Sequence, residues 1–496
     1  MLQEDPSMAN DTDTFATGNQ GRLLSSPDML VLRVPACEKI CGSGWAKYPD
    51  AGPRLMTWLV PVVVLILNLQ YATIGKERFL TVLHLFGDPI HSTWSLLAKV
   101  ETWRQCYGGG TGRSKNEAVI IAAIQELVET LNVGHNVEQT DLVLQDVLVR
   151  PEKQLADFHN LVENTASKLA DCRVNQTMRT WASIALYLVQ VVAALVPKLG
   201  QAASPSGGKI GMALLLSWLL PVVLLSNAVG DFTSRKSFLR IMLAFMEQIE
   251  SQSTQPLRKE CRDLLSSLRK VDKRYFKSLA WSGAIYTYRP NKTHSRSTLK
   301  GYSSTLYMAL ISTLPVIVAF VTAFLVLYKK PTHFSCRHFF VLAVFGTWLL
   351  SPLITWMIGI HFSQQRQWQV VLAKDAVFGF PILALIIASS CGFFNSCWCW
   401  SGVFTLGIRE AAVYLTDLPE FDRYNQVDYP AIIGTCLALQ LAFFLLSRWI
   451  WRRGFNLLAW SEQEKEAAFL RRTPSSMVVR DLKAITSAES TVVMPD

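Results

Sequence analysis

Polar side chains inside long apolar stretches are the residues of this sequence that could do chemistry. Amides stand in such stretches at Asn68, Gln70, Gln190, Asn227 and Gln440. A polar group inside a hydrocarbon layer costs free energy unless it faces protein or water, so such residues commonly mark ion and substrate pathways. We therefore take the five amides as candidates for an intramembrane polar site.

Ionisable side chains stand at the ends of the same stretches. Asp231, His361, Lys374 and Asp375 would lie on one side of the layer if the stretches cross it as helices. An acid and a base at that position could relay protons, hold a polar head group or catalyse a reaction. Asp231, His361 and Asp375 are the catalytic candidates. The alternative is that they are interfacial residues that reach water, so these residues leave open whether the chain is an enzyme.

We predict no cofactor and no metal. The segment 108–115 is rich in glycine, but a phosphate-binding loop requires Lys directly after its last glycine, and Arg113 stands there. The aspartate-rich motif that would hold metal ions against a diphosphate is missing from the apolar stretches, which argues against prenyl transfer. The segment is therefore interpreted as a flexible linker.

Four of the ten cysteines are disulfide candidates. Cys37 and Cys41 precede the first apolar stretch, and Cys397 and Cys399 follow the sixth. The charge distribution described below places all four on the oxidising side of the membrane, where disulfides form. We expect a disulfide between the N-terminal tail and the loop after the sixth stretch. A four-thiolate metal site is disfavoured because Cys-x-Cys is not the usual zinc spacing.

Seven apolar stretches must position these residues. The chain of 496 residues is 50% apolar and only 17% charged, which excludes an ordinary soluble protein. The stretches lack Lys, Arg, Asp and Glu and are close to the ~20 residues that cross a bilayer as a helix, about twice the length of a barrel strand. We predict an all-α, polytopic membrane bundle with about seven transmembrane helices, at 55–74, 180–196, 210–229, 306–328, 339–361, 376–394 and 429–446.

Basic residues orient this bundle. Of the 48 Lys and Arg, 36 lie in the first, third and fifth loops and in the C-terminal tail 447–496. This bias places those segments in the cytosol, and the N-terminal tail 1–54 and the loop 395–428 outside or in a lumen, at the plasma membrane or an endomembrane. Of the sequons at Asn10, Asn175 and Asn291, only Asn10 is then open to glycosylation. Residues 391–407 could be re-entrant or form an additional crossing.

From the first residues we expect no cleavable signal peptide. Met1 to Asn10 are polar and acidic, whereas a signal peptide has a basic patch and then an apolar core. We expect the first helix to direct insertion into the membrane.

Two helical cytosolic arms are predicted, at 75–179 and 230–305. In the second arm, 258–281 combines one apolar stripe with surrounding basic residues. Such a helix is expected to lie on the anionic cytosolic leaflet of the bilayer. The alternative is a solvated basic face on a helix that packs on the first arm. No recognition motif accompanies the basic residues, so we expect no nucleic acid as a partner.

A duplicated motif indicates a parallel internal repeat. Trp58-Leu-Val-Pro-Val-Val-Val-Leu65 recurs as Trp218-Leu-Leu-Pro-Val-Val-Leu-Leu225, identical at six of eight positions, and Asn68 then pairs with Asn227. Parallel repeats occur in several transporter folds, with sites where the repeats meet. Chance similarity between two apolar helices is the alternative.

The N-terminal part of the chain resembles a known group of proteins. Cys41-Gly-Ser-Gly-Trp-Ala-Lys-Tyr-Pro-Asp50, Gly52-Pro-Arg-Leu55, Lys76-Glu-Arg-Phe-Leu80 and Gly87-Asp-Pro89 are similar to multi-span integral membrane proteins of filamentous fungi, mostly of unknown function. Some members are encoded beside genes for secondary-metabolite biosynthesis. The resemblance covers about the first hundred residues and the helix pattern. It implies an accessory role in a small-molecule pathway and carries over no catalytic motif.

Three functions follow from these observations. The first is an accessory or enzymatic role in a fungal secondary-metabolite pathway, which the resemblance favours. The second is transport or export of a small molecule whose identity the sequence does not give, favoured by the repeat and by prolines inside five predicted helices. The third is a seven-helix receptor, against which the length of the arm 75–179 argues.

Overall fold

A computed structural model gives the architecture of the chain. It describes the following residues: 31–41, 51–69, 75–108, 115–131, 155–174, 177–195, 207–232, 235–252, 256–274, 305–328, 334–362, 364–391, 393, 399–400, 402–408, 411–414 and 424–458.

The described residues are almost entirely helical. Four short strands form two antiparallel pairs, β1 (Val31–Arg33) with β4 (Ala412–Tyr414) and β2 (Arg173–Val174) with β3 (Asp231–Phe232). The helices are α1 Val34–Cys41, α2 Ala51–Leu67, α3 Gly75–Gly87, α4 Pro89–Gly108, α5 Lys115–Leu131, α6 Leu155–Asp171, α7 Thr177–Leu195, α8 Gly207–Leu215, α9 Leu219–Val229, α10 Arg235–Gln252, α11 Lys259–Arg274, α12 Thr305–Leu327, α13 Cys336–His361, α14 Gln364–Cys391, α15 Val403–Leu406, α16 Tyr429–Ile450 and α17 Arg452–Leu458.

Five helical segments are long and apolar enough to cross a membrane, which is compatible with a multi-pass membrane protein. The first and second predicted stretches contain shorter apolar helices, Trp58–Leu67 and Thr180–Val189. The predicted all-α class is therefore confirmed, whereas the count of seven crossings stays a prediction. The five segments are Ile210–Val229, Tyr307–Leu327, Cys336–Ile358, Gln369–Cys391 and Gln426–Ile450.

The apolar segment Ile210–Val229 is the centre of the bundle. Nearly all its residues are buried, whereas only about a third of each of the other four segments is. Those four segments expose large apolar side chains, among them Leu350, Leu353 and Trp356 of α13. An apolar surface of this extent on several long helices is what lipid contact requires.

The helices α3 and α4 insert into this bundle. Helix α3 packs along α14, and α4 packs on α12 and α17. Glycines permit the close approach of α3 to α14, since a Cβ on Gly87 would lie 2.9 Å from the backbone of Asp375. A Cβ on Gly379 would lie 3.2 Å from the carbonyl oxygen of Leu83. Residues 75–108 of the predicted arm 75–179 are thus part of the bundle core.

The remaining arm helices α5, α6, α10 and α11 pack on one another. Leu264 and Leu268 of α11 are buried, and α11 contacts α10 and α5. Arg269 donates hydrogen bonds to Glu247 and Glu250 of α10. This part of the apolar stripe is therefore covered by protein. Contact of 258–281 with the anionic leaflet stays a prediction, in which the basic side chains make the contact.

Residues 391–407 contain no second long helix among those the structure describes. Helix α14 ends at Cys391, and α15 has four residues. Four helical residues span about 6 Å, far less than a hydrocarbon layer.

Candidate functional site

Seven polar side chains meet in the interior of the bundle, and we call them the buried charge cluster. Helix α3, the turn after it and α4 supply three of them, and α13 and α14 supply two each. All seven are buried, with exposures between 0% and 8%. The members are His84, Asp88, His91, Ser351, Thr355, Lys374 and Asp375.

Asp88 sits at the start of α4 because of local helix chemistry. Its Oδ1 accepts the backbone N–H of His91 at 3.0 Å, which satisfies one of the unpaired donors at the helix N-terminus. Pro89 follows at the first helical position, where the lack of an N–H is harmless. The residues Gly87-Asp-Pro89 therefore form a turn that places the Asp88 side chain against α13 and α14.

Lys374 is the cation of the buried charge cluster. Its Nζ donates to Asp88 Oδ2 at 2.8 Å, to Ser351 Oγ at 2.8 Å and to Thr355 Oγ1 at 2.6 Å. The Thr355 hydroxyl in turn lies 2.8 Å from Asp88 Oδ2 and donates to it. All three ammonium protons therefore have acceptors, which is the condition under which a charge is tolerated in a protein interior.

A chain of three titratable groups lies on the other side of Lys374. Asp375 Oδ2 is 2.7 Å from His84 Nδ1, and His84 Nε2 is 3.2 Å from His91 Nδ1. Asp375 Oδ1 is also 2.9 Å from Lys374 Nζ. An ionised Asp375 requires the proton on His84 Nδ1, so the position of the next proton, on His84 Nε2 or His91 Nδ1, is the variable one. Titratable groups hydrogen-bonded in this order can pass a proton from one to the next.

The formal charges make this variable proton significant. Asp88 and Asp375 contribute two negative charges and Lys374 contributes one positive charge, which leaves an excess of one negative charge. One proton on His84 or His91, beyond the single ring proton that each neutral imidazole carries, makes the cluster neutral. Because an uncompensated charge in a low-dielectric interior is costly, binding of one proton there is coupled to the charge state of everything nearby.

Aromatic rings close one side of the buried charge cluster. Trp348 Nε1 donates to the carbonyl oxygen of Phe86 at 2.8 Å. The ring of Trp218 packs edge-on against Phe86 at 6.2 Å and against Trp348 at 5.6 Å between centroids. The rings of Trp218 and Trp348 are fully buried. Phe86 lies two residues before Asp88, so this aromatic contact positions the turn that carries the carboxylate.

A second polar network lies on the far side of Trp218. Gln440 Nε2 donates to the carbonyl oxygen of Pro315 at 2.9 Å and to Ser217 Oγ at 3.3 Å. Cys436 Sγ lies 3.2 Å from Ser217 Oγ and accepts from Thr322 Oγ1 at 3.3 Å. This network contains no charged group and joins α12, α16 and the link between α8 and α9.

The structure does not bring the three catalytic candidates together. Only Asp375 belongs to the buried charge cluster. His361 is exposed at the end of α13, and its Nδ1 lies 2.9 Å from the carbonyl oxygen of Met357. Asp231 lies in β3, paired with Val174, and its side chain is outside the described part of the structure. The alternative that the ionisable residues reach water does not describe Lys374 and Asp375, because both side chains are buried between helices.

The candidate amides do not line one common path. Asn68 and Asn227 meet where α2 and α9 end, since Asn227 Nδ2 donates to the backbone carbonyl of Asn68 at 3.0 Å. Gln440 belongs to the uncharged network described above. Gln190 lies in α7, with its side chain outside the described part of the structure, and Gln70 falls outside the described residues altogether.

The oxidised cysteines lie at one end of the bundle. Cys37 is joined to Cys399 by a disulfide, which ties the N-terminal segment to the chain after α14. Cys336 at the start of α13 is also disulfide-bonded, and the sequence did not single it out. Cys41 and Cys397, like Asn10, fall outside the described residues.

Sequence reasoning missed five members of the buried charge cluster. Ser351 and Thr355 look like tolerated hydroxyls in an apolar helix, and His84, Asp88 and His91 were assigned to a cytosolic arm. The sequence shows His84 and His91 on either side of Gly87-Asp-Pro89, but only the structure shows that their ring nitrogens lie 3.2 Å apart.

The donor set of the buried charge cluster does not suggest a metal centre. Lys374 occupies the space between the two carboxylates, and within the described residues no group of three or more His, Cys, Asp or Glu is arranged to hold a metal ion. Comparison of the chain with protein-family models, with curated proteins and with solved structures finds no match.

Proposed function

We propose that the chain is a proton-coupled transporter that moves a small molecule of a fungal secondary-metabolite pathway across a membrane. The observation that carries the proposal is the relay from Asp375 through His84 to His91 beside the ion pair of Lys374 and Asp88. The pathway context rests on the resemblance of the N-terminal residues alone.

The position of the buried charge cluster favours transport. Lys374 and Asp375 lie within the apolar segment Gln369–Cys391, and Ser351 and Thr355 lie within Cys336–Ile358. Ionisable groups inside apolar spans are expensive and are found where protons or ions cross. A cluster that becomes neutral on binding one proton is suited to exchange that proton during a transport cycle.

Interrupted helices also favour transport. The central segment is broken between α8 and α9, and the turn at Asp88 joins two helices in the interior of the bundle. Discontinuous helices surround the binding sites of many transporters, because irregular backbone inside a membrane is tolerated where it borders a site.

The proposed topology has seven crossings, with the N-terminus outside or lumenal and the C-terminus cytosolic. The oxidised Cys37, Cys336 and Cys399 lie at the end of the bundle that this topology places outside the cytosol. Cys172, directly after α6, and Cys261, in α11, belong to the arms that this topology places in the cytosol, and both are thiols. This separation is the one expected for an oxidising and a reducing compartment.

A membrane-embedded enzyme is the second candidate function. Its supporting observation is that Asp375 and His84 form an acid–base pair sealed from water, both with 0% exposure. An enzyme would use such a pair to remove or donate a proton at a bound substrate. Only the effect on metabolites separates this candidate from transport.

Gene deletion and complementation test the proposal. The gene is deleted in its host, wild type, His84→Gln and His361→Gln are reintroduced, and metabolites in cells and medium are measured by mass spectrometry. For a transporter, deletion changes the division of one compound between cells and medium without changing its total amount. Wild type and His361→Gln restore the division, and His84→Gln does not, because only His84 belongs to the relay.

Two results would decide against transport. Loss of a compound with accumulation of its precursor in the cells would establish the enzyme instead. Restoration by His84→Gln at wild-type protein level would show that the relay has no part in the function.

A further inference from the structure

The central apolar segment is interrupted at Leu216–Trp218 for a local reason. Pro221 has no N–H to bond the carbonyl oxygen of Ser217, and its ring would clash with that carbonyl in a straight helix. The chain instead makes tighter bonds, from Ser217 N to Leu214 O, from Leu219 N to Leu216 O and from Leu220 N to Ser217 O, each at 3.0–3.1 Å. The break is therefore built into the sequence.

Two buried polar atoms at this break are left unsatisfied. Gln440 Oε1 and Trp218 Nε1 have no hydrogen-bond partner among the described residues, and both residues have 0% exposure. The amide orientation is fixed, because the carbonyl oxygen of Pro315 can only accept and so requires Nε2 on its side. The break thus presents one acceptor and one donor, and buried groups of this kind are rare unless a ligand or water completes them.

The two residues that carry these atoms lie at the same break in the central segment. Gln440 Nε2 donates to Ser217 Oγ at 3.3 Å, and Ser217 directly precedes Trp218 in the interrupted turn. The adjoining side chains of Leu216 and Leu219 are buried and apolar. The hydrogen-bonded network around Ser217, Thr322, Cys436 and Gln440 contains no charged group, so nothing there favours an ionised ligand.

We propose that the break at Leu216–Trp218 is the substrate subsite of the transporter, which rests on the function proposed above. It takes the hydroxyl group of a neutral and otherwise apolar small molecule. The ligand hydroxyl accepts the indole N–H of Trp218 and donates to Gln440 Oε1. A hydrocarbon of the same shape satisfies neither atom and is therefore rejected.

The same residue connects this subsite to the proton site. The ring of Trp218 contacts Phe86 and Trp348, and Trp348 holds the backbone carbonyl of Phe86. Phe86 lies two residues before Asp88. A ligand that engages the indole N–H of Trp218 therefore acts on the ring contact that positions the turn of the buried charge cluster.

Cys436 provides a native reporter of the subsite. Its thiol is buried and lies 3.2 Å from Ser217 Oγ. Purified full-length chain in lipid nanodiscs is treated with N-ethylmaleimide, and modification of Cys436 and Cys391 is followed by mass spectrometry of their peptides. The probes are 2-naphthol and naphthalene, which differ by one hydroxyl group. Cys391, at the end of α14, is the internal control.

The expected result is selective protection. We expect 2-naphthol to slow modification of Cys436 about fivefold more than naphthalene does, which corresponds to about 1 kcal/mol net for the two hydrogen bonds of its hydroxyl group together. Modification of Cys391 should be the same with both probes. Trp218→Phe removes the donor Nε1, and Gln440→Leu removes the acceptor Oε1 together with the amide Nε2. Each change should abolish the difference, because the ligand hydroxyl is then left with an unsatisfied buried site. Trp449→Phe, a change at an exposed indole of α16, should preserve it.

Three results would overturn the inference. These are equal protection by both probes, discrimination that survives Gln440→Leu and Trp218→Phe, and a Cys436 that stays unmodified while Cys391 reacts, since a substrate subsite must open. None of the three bears on the relay. If the protection experiment fails but His84→Gln loses function, the subsite is wrong and proton-coupled transport is still supported. If protection is selective but His84→Gln is fully functional, only the proposed proton relay is wrong.

Discussion

The imidazole of His84 is hydrogen-bonded to the carboxylate of Asp375 across 291 positions of sequence, at 2.7 Å between Nδ1 and Oδ2. Both side chains have 0% exposure. This bond joins α3, which follows the first apolar stretch, to α14, and it forms one end of the proposed relay. The strength of the bond can be measured without knowledge of the substrate.

A double-mutant cycle measures the coupling of His84 to Asp375. Each of His84→Gln and Asp375→Asn removes one partner of a buried charge-assisted bond, and we expect each to lower the free energy of unfolding by about 1.5–3 kcal/mol. The double variant should lose clearly less than the sum of the two, because the second change has no bond left to break. Unfolding by sodium dodecyl sulfate in mixed micelles gives the three values. Additive effects would show that the two groups do not interact.

Removal of Lys374 should destabilise the bundle more than removal of its whole ion pair. Lys374→Met leaves Asp88 and Asp375 as neighbouring carboxylates without a cation, at an expected cost of about 3–5 kcal/mol. The double variant Lys374→Met with Asp88→Asn restores the charge count and should recover part of that loss. The measurement is again the free energy of unfolding. A double variant as unstable as Lys374→Met would show that packing of the lysine stem, and not its charge, stabilises the site.

Gly87→Ala should disturb the buried charge cluster without removing any of its members. The new methyl group would lie 2.9 Å from Asp375 Cα and 3.0 Å from its carbonyl oxygen, so α3 has to move away from α14. Overpacking of this kind costs about 1–3 kcal/mol. The matched control is Gly346→Ala in α13, where a Cβ meets nothing within 4 Å. Equal thermal stability of the two variants in detergent would contradict the close approach of α3.

The apolar helices could be predicted from sequence, whereas the site could not. Runs without charge identify α12, α13 and α16 because the bilayer imposes length and polarity on any crossing segment. The same criterion began the sixth predicted helix at residue 376, yet α14 begins at Gln364 and carries Lys374 and Asp375 inside the bundle. A charge can lie there only because Asp88 and His84 arrive from a distant part of the chain. No local pattern reports such a partner.

The disulfide between Cys37 and Cys399 gives a test of orientation. After treatment of sealed cells with a membrane-impermeant phosphine, an impermeant maleimide should label Cys399, and Cys172 should stay unlabelled, because the proposed topology places them on opposite sides. The variant Cys37→Ser should expose Cys399 to the maleimide without reduction. It should also lower the free energy of unfolding by about 2–4 kcal/mol. Labelling of Cys172 but not of Cys399 would show that the chain has the opposite orientation in the membrane.

The pairing of Asn68 with Asn227 predicts unequal effects of two otherwise similar substitutions. Each side-chain amide donates to the backbone carbonyl four residues earlier in its own helix, from Asn68 to Val64 at 2.7 Å and from Asn227 to Val223 at 2.9 Å. Only Asn227 also donates across the interface, to the backbone carbonyl of Asn68. That carbonyl remains as an acceptor in Asn68→Leu, but it loses its donor in Asn227→Leu. We therefore expect Asn227→Leu to lower the free energy of unfolding by about 1–2 kcal/mol and Asn68→Leu to lower it by clearly less, because Asn227→Leu leaves the part-buried carbonyl oxygen of Asn68 without its donor. Denaturant unfolding of the two variants beside wild type measures the difference. A larger loss in Asn68→Leu would mean that the bond within α2, and not the bond between α2 and α9, is the stabilising contact.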